Sequence, residues 1–354
     1  MEHPGDGAAV GRLAGLAAAV TFGASAPLTA TLASGASPVL VAGVLYAGAA
    51  VVLVPPAIAR LARGTARLPV GRDRWTLLAL TLLGGIAGPV LLVTGLERSS
   101  SSVASLLLNL EAVATVVVGA ALFREHVGAR GWRALALVVA GGVALVGAPS
   151  GAVDPIGIAC VAGACLCWGV DNNLSRRLAL HDTFVISGAK ALTAAVPMLV
   201  VGSLLGGGGA PSLPGLLLVG AIGYGASISW DLVALRHLGA GREAVLFATA
   251  PFVGAVVGVL LGEPLGWAGV VAGALMAAGV ATLLREDHDH PHRHEPLLHE
   301  HWHDHDDGHH AHAHPADLQV VVGRSGRHRH EHVHAALVHA HPHVPDSHHR
   351  HTHD

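Results

Sequence analysis

Very few charged side chains interrupt the long apolar runs of this chain, and those few could do proton or ligand chemistry. Glu111 stands near the middle of one such run, and Asn109 lies two residues before it. An ionisable group inside an apolar segment is costly, so its presence marks a functional candidate. The sequence therefore predicts that Glu111 and Asn109 line an internal polar site. The alternative is a hydrogen-bonded glutamic acid that joins two helices.

A second candidate site combines the only lysine of the chain with an aspartate. Lys190 and Asp171 lie at similar depths in two consecutive apolar runs, which must cross in opposite directions. Antiparallel neighbours at matched depth would pair the two charges, and pairing offsets part of their desolvation cost. Asn172 and Asn173 are expected to add hydrogen bonds to the pair. Both interpretations stay open: a proton or ligand site, or a structural contact between helices.

Two aromatic residues complete the internal candidates. Trp168 and Tyr224 lie in apolar runs, where a ring can contact a bound molecule or simply pack against other helices. The runs contain no Ser/His, Cys/His or His-Glu-x-x-His pattern. The sequence therefore gives no reason to expect an enzyme.

The C-terminal segment has a different chemistry, because 23 of the 27 histidines lie in residues 285–354. Alternating imidazoles with Asp and Glu between them form many overlapping, incomplete sites for Zn, Ni, Co or Cu. The sequence of the rest of the chain does not call for a cofactor. The low-complexity composition of residues 285–354 predicts that this segment is disordered. The candidate metal ligands are His288, His290, His292, His294, His299, His301, His303, His305, His309, His310, His312, His314, His328, His330, His332 and His334.

The composition places the rest of the chain in lipid. Of the 354 residues, 52% are hydrophobic and only 13% are charged, and the mean hydropathy is +0.54. Such a chain cannot present an ordinary wetted surface. The formal net charge of -3 gives no indication of a nucleic-acid partner. The sequence leaves the oligomeric state open, a homodimer included.

Ten apolar runs are long enough to cross the hydrocarbon core, which takes about 20 residues each. We predict an all-α integral membrane protein with ten transmembrane helices and a disordered His-rich tail. The chain is divided into a short N-terminal segment (1–9), two five-helix repeats (10–148 and 149–284) and the tail (285–354). The ten runs are 10–29, 38–59, 75–95, 103–122, 132–147, 156–174, 184–205, 214–235, 244–261 and 265–284.

The loops give an independent check on this count, because Lys and Arg concentrate in cytoplasmic loops. The five odd-numbered loops contain one arginine, Arg98, whereas the four even-numbered loops contain twelve. The alternation predicts a multi-pass protein of the cytoplasmic membrane with both termini in the cytoplasm. The twelve are Arg60, Arg63, Arg67, Arg72, Arg74, Arg124, Arg130, Arg133, Arg176, Arg177, Arg236 and Arg242.

The two halves of the apolar region resemble each other. Residues 96–113 align with residues 235–252, and residues 123–125 align with residues 261–263. Because each half has an odd number of helices, the second copy must lie inverted in the membrane. Inverted repeats can pack in two nearly equivalent ways, open to either side.

These motifs resemble the drug/metabolite transporter superfamily, in particular its EamA-type branch with two five-helix domains. The resemblance covers about residues 10–284 and rests on 110–113, 168–177 and 234–240, and on the glutamates that end helices four and nine. It implies movement of a small-molecule solute across the bilayer, commonly the export of a metabolite or drug driven by an ion gradient. The family usually has a proline after the helix-four glutamate. This chain has Ala112 there and keeps only Pro251 in the second copy, so no proline kink is expected in helix four.

Two other functions stay open at this point. The transported species could be a divalent metal that the tail collects, although the apolar runs lack the paired Asp/His sites expected of a metal pathway. The chain could also be a membrane protein that binds metal without transporting anything.

Overall fold

The structure of the protein is a computed structural model. It forms two compact units, Met1–Glu286 and Asp287–Asp354. The residues that it describes are 4–123, 127–146, 154–206, 208–283, 291–294, 297–303, 321–322, 328–334 and 337–340.

The described part of the first unit contains ten helices that are long and apolar enough to cross a membrane, which confirms the predicted number. Their spans are α1 (Ala9–Ala33), α2 (Pro38–Ala62), α3 (Asp73–Arg98), α4 (Ser101–Leu122), α5 (Ala129–Val146), α6 (Pro155–Leu178), α7 (Thr183–Leu205), α8 (Leu213–Leu238), α9 (Arg242–Leu260) and α10 (Gly266–Leu283). The first helix begins earlier, at Pro4. The last turn of α6 is a 3-10 helix, Arg176–Leu178.

Helices α3 and α8 share an irregularity that supports the internal repeat. Each contains a seven-residue π-helical turn, Thr81–Ala87 in α3 and Gly220–Ala226 in α8. The two turns are separated by the same number of residues as the aligned Leu96 and Leu235. A π-turn widens the helix and often accompanies a functional site. The repeat therefore extends to the local geometry of its third helix.

Helices α4 and α9 are both interrupted near their middles. The segments of α4 are Ser101–Leu107 and Leu110–Phe123, and those of α9 are Ala240–Phe247 and Ala250–Leu260. In α9 the break precedes Pro251, which cannot continue the backbone hydrogen bonds. The break in α4 occurs without proline, which the sequence did not predict.

The helices pack in pairs related by the repeat. Helix α2 packs on α7, and α5 packs on α10. The contacts of α1 with α8 and α9 match those of α6 with α3 and α4. Glycines permit the closest approaches: a Cβ on Gly48 would meet the carbonyl of Leu217, and one on Gly220 would meet the carbonyl of Leu45. Such contacts replace the hydrophobic driving force that is weak inside lipid.

The two ends of the bundle differ in charge, and we name them by it. The even-numbered loops form the arginine-rich end, and the odd-numbered loops form the arginine-poor end. At the arginine-poor end Asp154 caps α6, accepting hydrogen bonds from the N–H of Ile156 at 2.9 Å and from Arg98 Nη1 at 3.0 Å. The hydrogen bond from the Ile156 N–H has the larger effect and the one from Arg98 the next, and together they lower the pKa of Asp154 below its ordinary value.

The described parts of the second unit are five short strands: β1 (Pro291–His294), β2 (Leu297–His303), β3 (Val321–Val322), β4 (His328–His334) and β5 (Leu337–Ala340). Strand β1 pairs antiparallel with β5, and β4 pairs antiparallel with both β2 and β3. The sequence predicts disorder for the tail, and the structure describes these five strands within it. The His-x-His alternation has the two-residue period of a β-strand. The other tail residues lie outside the described part.

Candidate functional site

The predicted pair of Lys190 and Asp171 is formed. Lys190 Nζ lies 2.8 Å from Oδ1 and 2.7 Å from Oδ2 of Asp171, and the two side chains are only 19% and 10% exposed. Both carboxylate oxygens therefore face the same ammonium group. The contact neutralises the two charges that the sixth and seventh helices bring into the bundle.

A glycine of α3 makes room for this pair, which the sequence did not predict. The π-turn of α3 packs against both α6 and α7. A Cβ on Gly84 would overlap the Asp171 carboxylate and would lie 2.7 Å from Lys190 Nζ. The two charges therefore meet across α3 at a residue that has no side chain.

The carbonyl of this glycine accepts two hydrogen bonds from neighbouring helices. The hydroxyl of Tyr46 donates from α2 at 2.8 Å, and Nε1 of Trp168 donates from α6 at 3.1 Å. The carbonyl of Gly84 is thus fixed on both sides. Trp168, one of the two candidate rings, thus lies at this junction, and Tyr46 is a further residue there that the sequence did not predict.

Glu111 lies just after the break in α4, in the first turn of the segment Leu110–Phe123. Its Oε1 accepts a hydrogen bond from Nδ2 of Asn172 at 2.9 Å, and the same amide lies 3.3 Å from Oγ1 of Thr115. Glu111 is half-buried and Asn172 is exposed. This second polar group is therefore open on one side, unlike the Lys190–Asp171 pair.

The two asparagines do not support the ion pair as predicted. Asn172 donates its hydrogen bond to Glu111. Nδ2 of Asn173 donates to the carbonyls of Thr115 at 2.9 Å and Gly169 at 2.8 Å. Their physical role is to attach α6 to the second segment of α4. Thr115 was missed by the sequence argument, since a lone threonine in an apolar helix gives no signal.

Two other candidates are directed elsewhere by their described contacts. Asn109 is 4% exposed, and its amide donates to the carbonyl of Leu106 at 2.8 Å and lies 3.8 Å from Met276 Sδ. This local bond competes with the helix backbone and accounts for a break without proline. Tyr224 lies in the π-turn of α8, where its ring packs 5.8 Å from Phe22 and 5.9 Å from Tyr46.

The repeat contains a neutral counterpart of the ion-pair junction. In the π-turn of α8, a Cβ on Gly223 would meet Ser25 of α1, as a Cβ on Gly84 would meet Asp171. The hydroxyl of Ser25 donates locally, to the carbonyl of Phe22 at 2.6 Å. One geometry is therefore used twice, with the charges in only one copy.

A cavity of about 450 Å³ lies at the arginine-poor ends of α1 and α3. Thr29 and Glu97 supply polar side chains, and Val93 and Leu96 supply apolar ones. The Thr29 hydroxyl is buried and has no hydrogen-bond partner among the described residues. This space is separate from the polar groups named above, none of which lines it.

The metal ligands that the sequence predicts are histidines of the tail. Within the described ranges, no group of three or more His, Cys, Asp or Glu side chains is placed to hold a metal ion. The register of β2 and β4 sets His299, His301 and His303 opposite His332, His330 and His328. The candidates His288, His290, His305, His309, His310, His312 and His314 lie outside the described residues.

Comparisons with known proteins agree with this architecture. An uncharacterized transporter of Methanothermobacter thermautotrophicus is 29% identical over 306 residues, which cover 79% of this chain and 89% of that protein. A solved crystal structure that is 24% identical has a TM-score of 0.56 and covers 78% of this chain and 97% of its own, which shows the shared fold. The model of the EamA-like transporter family matches residues 9–147 and 155–285. This multi-pass membrane protein therefore belongs to the EamA-like transporter family.

Proposed function

We propose that this protein is a secondary transporter that exports a small metabolite or drug across the cytoplasmic membrane by alternating access, coupled to an ion. Both termini would lie in the cytoplasm, as the arginines of the even-numbered loops indicate. Membership of the family supports transport of a small solute. The inverted repeat supplies the two equivalent packings that alternating access needs.

The observation that carries the proposal is the open polar group around Glu111. A half-buried carboxylate in the middle of a span is costly unless it has a partner, and its one described hydrogen bond is the neutral amide of Asn172. The nearby Lys190 is already bound by both oxygens of Asp171. Glu111 therefore brings a negative charge that a coupling proton or a positively charged group of the solute would neutralise.

Replacing Glu111 by glutamine is the direct test. The amide keeps the size of the side chain but removes its charge, so we expect flux to fall by about tenfold or more, the usual range for losing a charge-assisted contact. Flux is measured in proteoliposomes with a panel of labelled metabolites, toxic organic compounds and divalent metals. The matched control is Asp154→Asn, which retains the cap of α6. Wild-type flux in Glu111→Gln would rule out this carboxylate as the coupling or solute group.

We further propose that the tail binds divalent metal ions as an accessory to transport. The histidine pattern supports this, and β2 and β4 set three pairs of histidines opposite each other in the backbone register. The alternative function, transport of Ni, Co or Zn, would need the tail for flux. In the accessory role, the tail is dispensable for movement of an organic solute.

Removing residues 285–354 separates these alternatives. We expect the truncated protein to lose saturable Ni²⁺ and Zn²⁺ binding, measured by isothermal titration, while flux of an organic solute persists. If metal flux is present and disappears with the tail, the metal-transport alternative is correct. A truncated protein that retains the full metal-binding capacity would show that the tail is not the ligand.

A further inference from the structure

The arginine-poor ends of α4 and α9 are joined by a carboxylate. Glu263, in the loop after α9, accepts hydrogen bonds from the N–H of Ser101 at 3.1 Å and the N–H of Ser102 at 2.8 Å. The hydroxyl of Ser102 donates to the same carboxylate at 2.9 Å. One side chain of the second repeat thus holds the first turn of α4 in the first repeat. We name this junction the α4/α9 seam.

Small residues continue the seam into the bundle. A Cβ on Gly258 would lie 3.0 Å from the N atom of Ser102, and one on Gly254 would lie 2.6 Å from Oγ of Ser105. The spacing of these residues places two serines against two glycines on facing helices, an arrangement that lets backbones approach closely. The carboxylate therefore closes a seam that is already tightly packed.

Glu263 is held in its charged form. Partial burial would raise its pKa, but the hydrogen bonds from Ser102 and Ser101 outweigh this effect and lower the pKa below its ordinary value. Its own N–H donates to the carbonyl of Gly258 at 3.1 Å, which fixes the carboxylate to the end of α9. The preceding Gly262 has a φ of 96°, a conformation that favours glycine and turns the chain back toward α4.

The opposite ends of the same two helices are packed differently. The first segment of α9, Ala240–Phe247, packs on α1 and α8. The second segment of α4, Leu110–Phe123, packs on α6 and α5, and it carries the partly open Glu111. Helices α4 and α9 are therefore joined to each other at the arginine-poor end. At the arginine-rich end each of them packs on other helices.

We infer that Glu263 is a gate residue of the α4/α9 seam, and that the seam opens when Ser101 and Ser102 leave its carboxylate. The inference rests on the proposed alternating access, which requires each end of the bundle to open in turn. In that cycle the contact between the repeats breaks at one end as the other end closes. A charge-assisted bond to backbone N–H groups is strong enough to favour one state and weak enough to be released.

Hydrogen exchange of the full-length protein in lipid nanodiscs tests the gate without any solute. In Glu263→Gln, we expect amides in 101–107 to exchange about tenfold faster, because a charge-assisted hydrogen bond is lost. A gate also predicts the opposite change at the other end, with slower exchange in 110–116 and 240–247. Gly254→Val, which wedges the seam at Ser105 and does not press on the carboxylate, should give the same reciprocal pattern. Asp154→Asn should match the wild type.

Two results would overturn the inference. If exchange is faster only in 101–107, Glu263 is a structural cap of α4 and not a gate. If exchange is unchanged, the Glu263 carboxylate does not hold the first turn of α4. Failure of the proposed transport function is a separate outcome, because it would appear as absent flux for every solute while the reciprocal exchange persisted. A gate that fails while flux is normal would leave the transport proposal intact.

Discussion

Replacing Asp171 by alanine is expected to remove most of the folded protein from the membrane. The change leaves the Lys190 ammonium, 19% exposed, without the carboxylate that contacts it at 2.7 Å. Removing one partner of a buried ion pair costs about 3–5 kcal/mol, which is a large part of the stability of an ordinary domain. Fluorescence-detected size-exclusion chromatography of the expressed variant measures the loss. A monodisperse protein with the thermal stability of the wild type would contradict this interpretation.

The double variant Asp171→Asn/Lys190→Met then separates structure from function. Neutral side chains of similar size can replace a buried pair with little loss of stability, so folding should return. If the pair only joins helices, flux returns as well. If its charges take part in transport, the protein folds and flux stays low. We expect a folded protein with low flux, because the ion pair lies beside the open Glu111 group. The corresponding junction in the π-turn of α8 is neutral, so the fold does not need the charges.

The sequence predicted the elements of this protein well because lipid leaves few alternatives. The backbone polar groups of each span must form their hydrogen bonds within the span, so long apolar runs are helices. The number of helices can therefore be counted in the sequence. The inverted repeat was visible from residues 96–113 and 235–252, and the matching π-turns extend it. Opposite charges inside lipid pair with each other, so the contact of Lys190 with Asp171 could also be predicted.

The parts that the sequence could not predict depend on close packing between helices. The pair was expected between adjacent α6 and α7, but it forms across Gly84 of α3, and glycine has no chemical signal of its own. The helix faces decide that Asn172 binds Glu111 and not Asp171. The contact of Glu263 with Ser102 could not be predicted, because only the folded chain brings together two residues so far apart in sequence.

Gly84→Ala is expected to have the second large effect, although it adds a single methyl group. The new Cβ would overlap the Asp171 carboxylate and lie 2.7 Å from Lys190 Nζ, at a carbonyl fixed by Tyr46 and Trp168. Neither helix can move away freely, so overpacking should cost about 1–3 kcal/mol and separate the two charges. We expect a lower melting temperature in detergent and a loss of flux well beyond the loss of folded protein.

Two further glycines give this prediction its controls. Gly142→Ala should be harmless or slightly stabilising, because the nearest atom to its Cβ lies 3.8 Å away and alanine favours the helix. Gly223→Ala, in the neutral junction of α8, would press on Ser25 and should reduce stability without affecting an ion pair. If transport per folded molecule falls only in Gly84→Ala, the charged junction is the functional copy. Equal losses in Gly84→Ala and Gly223→Ala would instead assign both π-turns to the moving parts of the carrier.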